Sequence, residues 1–150
     1  MKEVLVMKKR ILPIILLVLC AALTLSACTM IKEPTTLKGE FESKGYIVRH
    51  YSSIQSGQFK TMIDLIQLED GSGITDIIIA DGGENGIPKP LIVFYCNSSD
   101  TTKKVFDAAK KSLDAVAKFT KMKSPEDCNI LTEDNAVIIG DHDMIELAKV

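Results

Sequence analysis

The sequence predicts an α+β domain in which helices are packed against an antiparallel sheet of about five strands. Three observations predict it. Two strongly apolar runs of β-type residues, 74–80 (ITDIIIA) and 91–96 (LIVFYC), are joined by a stretch dense in turn formers. A second pair, 129–131 and 136–140, is joined around Glu133-Asp134-Asn135. Between and around these pairs lie segments whose apolar residues recur at helical spacing. Consecutive hairpins make antiparallel neighbours, and such a sheet must bury apolar surface under helices.

Taken in order, Thr35 or Thr36 suits the cap of a short helix, with Leu37 and Phe41 one turn apart and Gly45 just past its end. Residues 46–51 are aromatic and β-branched and predict a strand. A loop over 52–57 leads to a second helix over 58–68, where Phe59, Met62, Ile63 and Ile66 share a face. The run 69–73 (EDGSG) breaks it. Segments 74–80 and 91–96 both contain continuous apolar runs rather than clean alternation, which places both strands inside the sheet. The longest helix spans 101–121, with Val105, Ala109, Leu113 and Val116 on one face and Phe106 and Phe119 beside it. Lys118, Lys121 and Lys123 sit where the helix dipole favours cations. Ser124-Pro125-Glu126-Asp127 ends it, the second hairpin follows, and Asp141 caps a last helix over 144–149. The predicted order is α-β-α-β-β-α-β-β-α.

The N-terminal stretch has a different character. Residues 1–10 hold Lys2, Lys8, Lys9 and Arg10 against one acid, and Met7 offers a second start to the same pattern. Residues 11–23 are almost purely apolar, and residues 24–27 turn small and polar. That is the layout of a secretory signal. The run contains Pro13 and falls short of the roughly 20 residues that span a bilayer. It closes on Leu25-Ser26-Ala27-Cys28, which resembles the lipobox of bacterial lipoproteins. The resemblance implies that the Cys28 thiol is joined to a diacylglycerol, that residues 1–27 are removed and that the bilayer is the first partner. Two acyl chains matter, because one alone holds a protein only marginally. The competing reading is plain secretion after cleavage at Ser26.

The expected organisation is a signal over 1–27, a lipidated tether over 28–34 and a single domain over 35–150. Removing 27 of 150 residues leaves 123, enough for a hydrophobic core without disulfides. The chain has 18 basic and 20 acidic residues; residues 1–27 hold 4 and 1, so the remainder has 14 and 19, a net of −5. This argues against nucleic acid as a partner and against electrostatic adhesion to anionic lipid.

Of four cysteines, Cys20 leaves with the signal and Cys28 takes lipid, so Cys96 and Cys128 remain. An even pair outside the cytoplasm suggests a disulfide. Two buried free thiols are the competing reading.

The mature region also resembles a loose group of small lipoproteins from Gram-positive bacteria. The resemblance covers residues 36–148 and rests on the order of LEDGSGITDIIIA, LIVFYC, a helix opening DTTKKVFDAAKKSL, NAVIIG and a last helix. It implies the fold and supplies no catalytic residues.

Candidate sites are few. Asn97, Ser98, Ser99 and Asp100 join a strand to a helix N-terminus; they suit capping first and ligand or partner contact second. The run 81–86 (DGGENG) resembles a calcium loop, but Gly83 stands at an oxygen-ligand position and Ile92 where the bidentate Glu belongs. Asp141-His142-Asp143 groups metal-ligand types, yet adjacent residues seldom converge on one ion, so a helix cap is expected. There is no HExxH helix, dinucleotide fingerprint or nucleophile elbow, and Trp is absent. No metal or cofactor is expected. The expected function is a non-enzymatic interaction module on the outer face of the cell membrane, with an envelope protein or small ligand as its partner. A receptor or accessory subunit of an envelope enzyme or transporter is the alternative, and a hydrolase without a visible motif the third reading.

Overall fold

A computed structural model describes residues 30–53, 56–83, 89–120 and 128–150. The signal expected over 1–27, Cys28, residues 84–88 of the first hairpin and residues 121–127 lie outside the described residues. The elements are α1 (Pro34–Ser43), β1 (Ile47–Ser52), α2 (Ser56–Leu65), β2 (Ile74–Asp81), β3 (Pro90–Cys96), α3 (Ser99–Thr120), β4 (Cys128–Glu133), β5 (Ala136–Asp141) and α4 (His142–Ala148). This is the expected α+β order. The five strands form one antiparallel sheet in the order β1-β2-β3-β5-β4.

Helices cover both faces of this sheet. On one face α1 and α4 bury Leu37, Phe41, Met144 and Ile145 against Ile78, Val93 and Ile138. On the other, α2 and α3 bury Phe59, Ile63, Val105 and Ala109 against Ile77, Phe94 and Val137. The inner strands β2, β3 and β5 are therefore apolar at successive positions, which explains their unbroken apolar runs. A register shift between Ile74 and Asp76 turns Ile74 onto the α2–α3 face while Asp76 points to the other.

Several boundaries move. Pro34 opens α1, one residue before the expected cap, because its missing N–H costs nothing at the first helical position. Gly45 follows the helix with φ +82, a conformation that only glycine adopts without strain. The second hairpin turns on Asp134-Asn135 alone, since Glu133 pairs with Ala136 as part of β4.

Residues 30–32, expected in the tether, belong to the domain. Ile31 bridges Lys149, Lys32 N donates to Ala148 O at 3.1 Å, and Val150 N donates to Met30 O at 2.8 Å. Of the two readings of Cys96 and Cys128, the possible disulfide does not fit the topology. Both β3 and β4 run antiparallel to β5, so they run parallel to each other; Cys96 ends β3 and Cys128 starts β4. That puts the two at opposite ends of the sheet, roughly 20 Å apart by strand spacings, whereas a disulfide needs Cα atoms within about 7 Å. Cys96 is a free, buried thiol.

Candidate functional site

The loop after β3 is held by backbone bonds from both neighbours. Cys96 N donates to Asn135 O at 2.7 Å, and Asn97 N donates to Gly73 O at 2.9 Å. Ser98 then caps α3. Its Oγ accepts from Thr101 N at 3.3 Å and lies 3.0 Å from Thr101 Oγ1, and its carbonyl accepts from both Thr102 N and Thr102 Oγ1 at 3.0 Å. Asn97 Oδ1 accepts from Thr101 Oγ1 at 3.4 Å. Asn97 and Ser98 are thus engaged in capping. Thr102 is the buried polar side chain of this corner, and its hydroxyl is satisfied by the cap.

Ser99 faces outward into a groove of about 400 Å³ between α3 and the β4–β5 turn. Thr102, Lys103, Phe106 and Asp107 form its helical wall, and Thr132 and Asp134 the strand wall. Lys103, Asp107 and Asp134 line the groove together with Phe106, so it has mixed charge and one aromatic side chain. Asp134 is held with φ 48, in the left-handed region that aspartate tolerates better than most residues. A second groove of about 400 Å³ lies between α2 and the turn before β2, with Phe59, Ile63 and Leu68 at its base and Lys60, Asp64 and Glu69 among its polar residues. In the same turn, Ser72 N donates to Asp70 Oδ1 at 2.9 Å, and this holds the Asp70 carboxyl below the usual carboxylate range.

The buried Cys96 thiol interacts with Thr102, one of the residues that line the first groove. Burial pushes its pKa up, partly offset by a hydrogen bond with Thr102. A thiol held protonated in this way is a weak nucleophile.

The opposite face carries a cluster that the sequence did not announce. His50 Nε2 lies 2.7 Å from Asp76 Oδ1, across the β1–β2 pair. Asp76 is in register with Tyr95 on β3. Tyr95 donates its hydroxyl to Lys32 O at 2.6 Å, and Lys32 Nζ donates to Glu40 Oε2 at 2.6 Å and to Leu147 O at 2.9 Å. Burial, and then the Asp76 carboxylate, push the Tyr95 phenol pKa well above its ordinary value. Ser52 faces Asp76 in register, but among the described residues no bond joins its hydroxyl to His50. Among the described residues the arrangement has a carboxylate and an imidazole with no nucleophile bonded to the ring, and the Tyr95 bond clamps residues 30–32 to the sheet. No local signal links His50 to Asp76, which are 26 positions apart.

The polar runs at the ends of the strands act as caps. Asp81 Oδ1 accepts from Gly83 N at 3.0 Å and Lys89 N at 3.3 Å, which closes the base of the first hairpin. Asp141 accepts from Asp143 N at 3.0 Å and caps α4, as its position suggested. Among the described residues no three His, Cys, Asp or Glu side chains group as metal ligands, and no helix is long and apolar enough to cross a membrane. No protein-family model, curated protein or solved structure matches this chain.

Proposed function

We propose that this chain is a lipid-anchored extracytoplasmic lipoprotein whose α+β domain is a non-enzymatic binding module of the cell envelope. The observation that carries the reading is Leu25-Ser26-Ala27-Cys28 at the close of a basic-then-apolar leader. The bonds that tie residues 30–32, close in sequence to Cys28, to Ala148, Lys149 and Val150 are consistent with it. The net charge of −5 left after processing favours anchoring by lipid rather than by charge.

The small-ligand version of this reading draws on the groove beside Ser99, whose volume of about 400 Å³ falls within the usual range for ligand pockets, roughly 300–1,000 Å³. The hydrolase reading has no comparable support, since among the described residues no hydroxyl or thiol is bonded to His50 of the His50–Asp76 pair.

Replacing Cys28 by Ala is expected to release the domain from membranes or leave it at its unprocessed mass. Fractionation with intact mass measurement reads this out. A Cys28→Ala protein that stays membrane-bound at the mature length sinks the anchor. A native mass spectrum of the wild-type protein extracted from its membrane tests the binding module, with added mass beyond the lipid as the expected result.

A further inference from the structure

We infer that the domain stands on the bilayer in a fixed orientation, resting on the end of the sheet that carries Met30 and Val150. The inference rests on the lipidated Cys28 proposed above. The geometry beyond that point is independent of it. Met30 is two residues from Cys28, so the anchor's reach is about 7 Å of chain. From Met30 onward the chain has no slack. Met30 O accepts from Val150 N at 2.8 Å, Ile31 bridges Lys149, and Lys32 O accepts from the Tyr95 hydroxyl at 2.6 Å. Lys149 Nζ reaches Glu133 Oε1 at 3.9 Å. Tyr95 and Glu133 belong to one end of the sheet, the end that also holds the Asp134-Asn135 turn and the start of α3.

The chemistry of that end fits a lipid surface. Among the described residues three large apolar side chains stand exposed, and two of them, Met30 at 54% and Val150 at 82%, are here, side by side. The neighbouring cations are occupied: Lys32 by Glu40, and Lys149 by Glu133 and Glu146. The contact is therefore shallow, is made by the Met30 and Val150 side chains, and does not select anionic headgroups. The third exposed residue, Ile47 at 69%, pairs with Asp81, which pairs with Pro90, at the far end of the sheet. Five residue steps along β3 separate that level from Tyr95, about 17 Å. The far end is left facing away from the membrane, while the groove beside Ser99 opens near the bilayer.

Because the chain has no Trp, a single introduced one reports its own depth. Lipidated, full-length Val150→Trp and Ile47→Trp variants are reconstituted in phosphatidylcholine vesicles whose acyl chains carry bromine, a contact quencher. Both sites are exposed, and circular dichroism checks that each variant folds. The inference expects a loss of emission for Val150→Trp and none for Ile47→Trp. Equal quenching of the two, or none at Val150→Trp, overturns the orientation when the mass of the same sample shows lipid on Cys28. A sample without that mass overturns the anchor itself, and the orientation falls with it.

Discussion

Tyr95 joins two parts of the chain that lie 63 positions apart in the sequence. Its hydroxyl holds the Lys32 carbonyl at 2.6 Å, beside the His50–Asp76 pair. A Tyr95→Phe change leaves that carbonyl unpaired and is expected to cost about 1 kcal/mol, read as a lower urea midpoint. The pH dependence has a definite sign. The folded state raises the Tyr95 pKa, so it binds this proton more tightly than the unfolded state does. The contribution is complete below the unfolded-state value near ~10 and declines as pH rises from there toward the folded-state value. Alkaline titration by tyrosinate absorbance should show a late-titrating tyrosine in the wild type that is missing from Tyr95→Phe. Persistence of the late step in the variant would show that it does not come from Tyr95. At this scale the capping role of Ser98 was legible, because a cap acts over three or four residues. The His50–Asp76 contact was not, because only the pairing of β1 with β2 creates it.

Among the elements, β5 shows how closely the strands are set. A Cβ added at Gly140 would lie 2.5 Å from Pro90 O and 3.0 Å from Leu91 Cα, both backbone atoms of the neighbouring strand. Backbone cannot rotate aside as a side chain does. Gly140→Ala is expected to destabilise the domain by about 1–3 kcal/mol, measured by denaturant unfolding, and an unchanged midpoint would falsify the close approach. Most elements were legible because their apolar periods were strong. The ends were less so: α2 stops at Leu65 rather than running to 68, and Gln67 takes φ 55 in the turn that follows. The Ile74–Asp76 register shift was hidden as well, since a bulge is set by the partner strand.

For the molecule as a whole, one sheet is the shared wall of two apolar clusters. Ile77 and Ile78 are adjacent in β2, yet each is fully buried in a different cluster. Neither helical layer keeps its apolar face covered if the sheet dissolves, so both should be lost together. Tyr95 reports on one face and the Cys96 thiol on the other. In urea, the tyrosine signal and the exposure of Cys96 to a thiol reagent are expected to follow a single transition. Separate midpoints would show that the layers unfold independently.

The sequence alone determined the element order, the antiparallel hairpins and the inner position of the two most apolar strands. These follow from apolar period and turn chemistry, which act over a few residues. It also carries the lipobox-like Leu25-Ser26-Ala27-Cys28, on which the anchor proposal rests. The tertiary structure decided that helices cover both faces, that Cys96 and Cys128 stand at opposite ends, and that residues 30–32 lock onto Lys149 and Val150. Those outcomes depend on strand direction and register, which bring together residues many positions apart, and no local pattern encodes them.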